Sequence, residues 1–249
     1  RPIALTSCLG KILERIIADR LMYVLESRNV INKNQAGFRQ NRATTDQVLK
    51  LVQSASDQLH SREKSKLTIC TFFDYEKAYD KVWRDGLLYK MAGLGIPKRF
   101  MRYTRHFLSG RVTSVMVNEV RSKNIRLNEG LPQGSCISPL LFLIFINDID
   151  TDLHPDTLVS LFADNTAIWC QAEGEDDHNK VKERMQQEME KILQWANKWK
   201  MKINEGKTKT LLISTKASEY SWDPEFTLNG KKVAAIKEYK FLGILVDNK

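Results

Sequence analysis

Cysteine and histidine are scarce, four of each in 249 residues. Cys8, Cys70, Cys136 and Cys170 form no CxxC pair and the histidines are scattered. That leaves neither a zinc-ligand spacing nor a disulfide framework, and it fits a reducing intracellular setting, nucleus or cytoplasm. Long apolar runs are missing as well. The longest, Leu140 to Ile146, has seven residues, far short of the roughly 18 that a membrane span needs. The start carries no signal-peptide pattern, and Arg1-Pro2 in place of an initiating methionine reads as the edge of a piece cut from a larger polyprotein. No internal repeat or low-complexity linker interrupts the chain.

What is present bounds the answer from the other side. An apolar fraction of 42% fills the core of one large domain or two small ones, which rules out disorder and collagen-like structure. Lysine plus arginine exceed aspartate plus glutamate by 39 to 30, a net charge of +9. Such an excess favours a polyanionic partner through long-range attraction and counterion release, although basic proteins without one are common.

Leu9, Leu13, Ile16, Ile17, Leu21, Val24 and Leu25 recur at helical spacing behind Thr6-Ser7, so an amphipathic helix is predicted there. Asn32 to Thr45 is a polar loop before Val48, Leu51 and Val52 resume a helical pattern. Leu67 to Phe73 predicts a buried strand that delivers Asp74 at its end. Residues 86–108 are helical with an interruption at Gly95-Ile96-Pro97, and a hairpin follows around Asn118-Glu119. Ser138 and Pro139 suit the N-cap and first position of a helix apolar on every side. Two apolar runs flank Asp164-Asn165 as strands joined by a tight turn, and Val181 to Ala196 predicts another amphipathic helix. Short strands close the chain near 210–214 and 240–246. Helices and strands intermix without strict alternation, which favours α+β over a doubly wound sheet.

Asp74 and Asp164 stand ninety residues apart, each at the end of a predicted strand. If those strands are neighbours, the two carboxylates can hold a pair of divalent cations about 4 Å apart for phosphoryl chemistry, and magnesium suits such oxygen ligands. On spacing alone, a hairpin turn and a strand terminator account for the same residues. Gly206-Lys207-Thr208 mimics the end of a phosphate-binding loop, but the glycine required earlier is Met201.

Three segments, Phe72-Phe73-Asp74-Tyr75-Glu76-Lys77-Ala78-Tyr79-Asp80, Leu131-Pro132-Gln133-Gly134-Ser135 and Phe162-Ala163-Asp164-Asn165, occur in the order and spacing of polymerase motifs A, B and C. With Arg1-Pro2-Ile3, Gly10 to Arg15, Gln35-Ala36-Gly37-Phe38-Arg39, Asn204 to Thr208 and Phe241-Leu242-Gly243, the chain resembles the reverse transcriptases of non-LTR retrotransposons, LINE-like and jockey-like, over nearly its whole length.

The resemblance implies a right-handed polymerase: fingers in residues 1–65 and palm in 66–249, with residues 86–130 a further candidate for the fingers, and a thumb that is absent or only begun. The palm would be a ferredoxin-like antiparallel sheet backed by helices. By the same resemblance Asp74 and Asp164 ligate Mg2+, with Mn2+ as a substitute. Tyr79, five residues after Asp74, is the aromatic gate against a ribose 2′-hydroxyl. Arg39, Gln133 and Gly134 meet the nucleotide, with Arg42 a weaker candidate for the same task. Lys207 approaches the leaving pyrophosphate, and Phe241, Leu242 and Gly243 grip the primer. Asp80 is read as structural, a local cap. The implied partners are an RNA template, a DNA primer and deoxynucleoside triphosphates. An RNA-dependent RNA polymerase or an intron maturase fits Tyr79 and the fingers motif less well.

One position departs from the family. Motif C carries two consecutive aspartates there, and the second is Asn165 in this chain. A neutral amide offers a cation only its carbonyl oxygen. A working polymerase and a catalytically weak or silent nucleic-acid-binding remnant therefore both remain open at the sequence level.

Overall fold

The computed structural model describes residues 4, 7–60, 67–172, 178–214 and 222–248. Arg1-Pro2-Ile3 and Thr6 lie outside these. Backbone contacts gather the chain into two compact units, one of residues 1–31, 77–146 and 199–201, the other of 32–76, 147–198 and 202–249. Each unit is assembled from separate stretches of chain.

The first unit is mainly helical. Its α1 (Cys8–Ser27) starts where expected, but Ser7 at the cap position makes no side-chain cap bond. The predicted apolar stripe is only partly the buried one: Leu9, Leu13 and Ile16 are exposed, while Glu14, Ala18, Leu21 and Leu25 face inward. Glu14 explains the choice of face, because its carboxylate accepts bonds from Ser135 Oγ at 2.5 Å and the Cys136 N–H at 2.8 Å. Helices α3 (Arg84–Gly93) and α4 (Lys98–Leu108) are separated at the expected Gly95-Ile96-Pro97 break. Helix α5 (Ser138–Ile146) is apolar all round and, as expected, buried. Ser138 does not cap it, since its Oγ has no partner and Ser135 Oγ instead accepts from the N–H groups of Ile137 and Ser138.

The expected hairpin is a ribbon of short strands. β2 (Val112–Thr113) pairs with β5 (Ile125–Arg126), and β3 (Met116–Val117) with β4 (Val120–Arg121). Asn118 and Glu119 both take positive φ, 47° and 64°, the requirement of the tight turn whose twist matches a hairpin. Four steps from Val112 to Met116 face five from Arg121 to Arg126, so the second strand carries one extra residue, a bulge. The ribbon root is tied down by Arg84, which donates to the carbonyls of Leu108, Leu127, Glu129 and Gly130 at 2.7–3.0 Å.

The second unit is built on a five-stranded sheet of β1 (Thr68–Phe73), β6 (Leu158–Phe162), β7 (Asn165–Gln171), β8 (Lys209–Ile213) and β11 (Ala234–Ile236), in the order β11-β8-β1-β7-β6. All pairs are antiparallel except β11 against β8. The β8-β1-β7-β6 core, with α6 (His178–Lys198) between β7 and β8 in sequence, is the ferredoxin-like arrangement of an α+β protein. All six residues of β1 are buried because both faces are covered. Cys70 and Phe72 pack with Val48, Leu51 and Ala55 of α2 (Thr44–His60). From the opposite face Thr71 Oγ1 meets Met185 Sδ of α6 at 3.3 Å. Two small hairpins, β9–β10 (Thr227–Leu228 with Lys231–Lys232) and β12–β13 (Glu238–Phe241 with Ile244–Asp247), complete this unit.

Candidate active site

The register of the sheet delivers both motif carboxylates to one end. Phe73 is the last residue of β1 and lies opposite Thr166 of β7, so Asp74 emerges beside the start of β7. Phe162 pairs with Asn165, which makes Ala163-Asp164 the two-residue turn of the β6–β7 hairpin, one residue earlier than the sequence reading placed it. Asp74 and Asp164 therefore leave neighbouring strands at the same edge, both partly buried. Asn165 is the exposed first residue of β7, and its Nδ2 donates to Phe162 O at 3.3 Å across the turn.

The loop of Gln35, Ala36 and Gly37, a motif read for Arg39 alone, braces the Asp164 turn. Gln35, buried in the loop before α2, accepts with Oε1 from the N–H of Gly37 at 2.8 Å and of Ala163 at 2.9 Å. The same loop lies along β6 as an added backbone ladder, through Ala36 N to Leu161 O at 2.9 Å and Leu161 N to Asn34 O at 3.1 Å. Gly37 is required at that spot, because a Cβ there would come within 2.4 Å of Ala163 N. Tyr75 is buried nearby; burial, with the charge of Asp164 adding to it, raises its phenol well above the ordinary value.

Asp74 is held through its backbone. Its carbonyl accepts from Asn204 N–H at 2.7 Å, Glu76 N–H donates to Lys202 O at 2.8 Å, and Thr208 Oγ1 donates to Asn204 O at 2.9 Å. Lys207 lies exposed on this same 204–208 turn, so the motif D lysine shares an anchor with Asp74. Phe72 carries the hairpin of Phe241, Leu242 and Gly243 against the sheet: Tyr239 stacks on it at 4.2 Å and Phe241 packs at 5.1 Å. Leu242 and Gly243 form the turn with φ of 50° and 92°. Burial, with the charge of Asp74 adding to it, raises the Tyr239 hydroxyl above its ordinary value.

The remaining motif residues fall in the first unit, apart from Arg39 and Arg42. Tyr79 is half-buried, its ring stacked on Phe142 of α5 at 4.5 Å and its carbonyl accepting from Leu131 N–H at 2.8 Å. Gln133 donates with Nε2 to Asp80 Oδ1 at 2.8 Å, which ties the motif A and B loops together. Gly134 is exposed at φ 95°. In the second unit Arg39 donates with Nη1 to Asn32 O and Gln35 O at 3.1 and 3.0 Å, bracing the loop that carries Gln35, while Arg42 is exposed.

The donor set fits a divalent cation that shares its coordination with substrate. Among the described residues no cluster of three or more histidine, cysteine, aspartate or glutamate side chains occurs. Two carboxylates at one sheet edge suit a hard divalent ion that keeps open positions for phosphate oxygens and water.

Known proteins agree with this geometry. Residues 1–246 match the family model described as reverse transcriptase (RNA-dependent DNA polymerase). The chain is 31% identical, over its full length, to the RNA-directed DNA polymerase from mobile element jockey of Drosophila melanogaster and covers 27% of it. The counterpart from Drosophila funebris is 32% identical, with 99% of this chain and 26% of that protein covered. This chain thus spans about a quarter of the length of these relatives. Among solved structures, an apo telomerase from Candida tropicalis, truncated from its C-terminal domain, superimposes with a TM-score of 0.61 at 13% identity, over 96% of this chain and 44% of that one. The fold is the fingers-and-palm polymerase fold, and no helix among the described residues is long and apolar enough to cross a membrane. A match over residues 1–246, with motif carboxylates converging at one sheet edge, shows that the chain belongs to the reverse transcriptase family, whose members work with divalent metal ions.

Proposed function

We propose that this chain is the polymerase core of a non-LTR retrotransposon protein, adding deoxynucleotides to the 3′-hydroxyl of a DNA primer along an RNA template. The observation that carries the reading is the delivery of Asp74 and Asp164 to one edge by adjacent strands. Bound there, Mg2+, or Mn2+ in its place, would lower the pKa of the attacking hydroxyl and offset charge on the phosphates. Asp74 and Asp164 supply the negative charge that holds such ions, and the Gln35 and Asn204 contacts fix the backbone from which they project. Lys207 presents an ammonium to the departing pyrophosphate, as counter-charge or proton donor. Tyr79, steadied by Phe142, leaves no room for a 2′-hydroxyl. Arg39 meets the triphosphate with paired N–H donors, Gln133 and Gly134 line the nucleotide, and the turn at Phe241, Leu242 and Gly243 supports the primer end. Fingers in residues 1–65 and palm in 66–249, with residues 86–130 a further candidate for the fingers, within a larger polyprotein acting in nucleus or cytoplasm, complete this reading.

Primer extension on an RNA template with Mg2+ or Mn2+ tests it. Extension that disappears with Asp74→Asn and strengthens with Asn165→Asp is expected. A folded Asn165→Asp protein that makes no product overturns the catalytic reading. Asn165 itself favours a second reading, a silent nucleic-acid-binding remnant, whose signature is salt-dependent primer–template binding unchanged by Asp74→Asn.

A further inference from the structure

The positive charge of this chain is concentrated in one place. Residues 98–127 contain eight lysines and arginines and a single acidic residue, Glu119, so thirty residues account for +7 of the net +9. They form one substructure of the first unit, α4 followed by the 111–127 ribbon. Helix α4 turns Phe100, Thr104 and Leu108 inward. Lys98, Arg99, Arg102 and Arg105 fall on the opposite, exposed side, as the 3.6-residue period requires. Arg121, Lys123 and Arg126 of the ribbon are exposed too, and none of these seven cations has a carboxylate partner among the described residues. Between them, Val112, Val115, Met116, Val117, Val120 and Ile125 stand exposed, an unusual density of apolar side chains for a two-stranded ribbon.

The two elements meet at a built feature. A cavity of about 220 Å3 lies where the C-terminus of α4 joins the ribbon root, lined by Arg105 from the helix, Arg126 from the strand and Arg84 beneath, with Asp85 also in its wall. Arg84 is committed to backbone carbonyls, and burial, with Arg111 beside it, lowers its affinity for its proton. A fixed, partly desolvated guanidinium with two exposed ones around it makes a phosphate-sized opening of net positive charge.

We infer that α4 and the 111–127 ribbon form a binding surface for single-stranded RNA, with Arg105 and Arg126 seating one backbone phosphate over the fixed charge of Arg84 and the ribbon's apolar side chains receiving unstacked bases. The charge rules in a polyanion. The interleaved Val, Met and Ile residues favour a strand with bases exposed over a duplex, which shows a protein little beyond phosphates and sugars. RNA as the ligand rests on the polymerase reading above.

The test measures binding of a fluorescent single-stranded RNA by anisotropy across a salt series, with the duplex form as competitor. Replacement of Arg105, Arg121, Lys123 and Arg126 by alanine, all on exposed positions, is expected to weaken binding at least tenfold at low salt. The slope of log K against log salt should flatten by about 0.7 per lost contact, roughly 3 for the four. A control replacing Lys182, Lys198, Lys231 and Lys237 by alanine removes the same charge elsewhere and should leave the slope nearly unchanged. Equal effects of the two variants, preference for the duplex, or a ribbon variant that binds RNA normally but loses self-association would overturn the inference. If RNA binding depends on this surface while the chain extends no primer, the surface stands and the polymerase reading falls. If extension proceeds and the four substitutions change nothing, the reverse holds.

Discussion

Gln35 Oε1 accepts the backbone N–H of Ala163 at 2.9 Å, one residue before the carboxylate that marks motif C. The contact spans 128 positions of sequence and fixes a non-glycine residue at φ 55°. The same oxygen holds Gly37 N–H, so one amide sets both the loop and the turn. Gln35→Leu leaves two buried donors without an acceptor, a loss of about 1–3 kcal/mol for each group left unpaired. A clear drop in unfolding midpoint is expected, together with weaker Mn2+ binding as the Asp164 turn relaxes. An unchanged midpoint in chemical denaturation would show that the turn holds itself.

Asn165→Asp exchanges an amide that donates to Phe162 O for a carboxylate that cannot, beside Asp164. Without metal the variant should be less stable by about 1 kcal/mol, from one lost hydrogen bond and like-charge repulsion. With millimolar Mg2+ or Mn2+ the order should reverse, because the added charge binds the cation. Thermal melts with and without metal read both signs.

Glu14 is 4% exposed and accepts two hydrogen bonds from the Ser135-Cys136 segment ahead of α5. Glu14→Ala strips the acceptor from Ser135 Oγ and Cys136 N–H and opens a small void, at a cost of about 2–4 kcal/mol. Glu14→Gln, which can still accept, should recover part of this. Equal stability of the two variants in urea denaturation would contradict the role given to the carboxylate.

Glu205 is held below its ordinary value, first by the bond from Asn229 Nδ2 and then by its own backbone N–H and by Lys231. The folded protein therefore binds this proton less readily than the unfolded chain. Its contribution is fully present above the ordinary glutamate value of 4.5 and is lost as pH falls through the lower, folded value. The difference in melting temperature between wild type and Glu205→Gln should shrink as the pH is lowered from 6 toward 3. A constant difference would exclude the linkage.

Periodicity made much of the fold legible. The α3–α4 break at Gly95-Ile96-Pro97, the all-apolar α5 and the apolar runs on either side of Asp164 follow from local rules, because glycine, proline and apolar spacing act over a few residues. Local rules misjudged positions set by long-range partners. The turn falls at Ala163-Asp164 because Gln35 Oε1 holds the Ala163 N–H and Gly37 leaves room for it. α1 buries the face with Glu14 because Ser135 and Cys136 wait there, and Ser135 caps α5 in place of Ser138.

The motif residues Asp74, Asp164, Tyr79, Gln133 and Lys207 were readable only through the resemblance of their segments to polymerase motifs, since spacing alone left Asp74 and Asp164 a strand terminator and a hairpin turn. Sequence also determined the charge excess and its crowding between 98 and 127. Only the tertiary structure decided that β1 lies beside β7, so that residues ninety apart leave one sheet edge together, and that Arg105 and Arg126 line one cavity over Arg84. Strand order and side-chain convergence come from closing long loops at an entropic cost repaid by a shared core, and no window of sequence contains both sides of that balance.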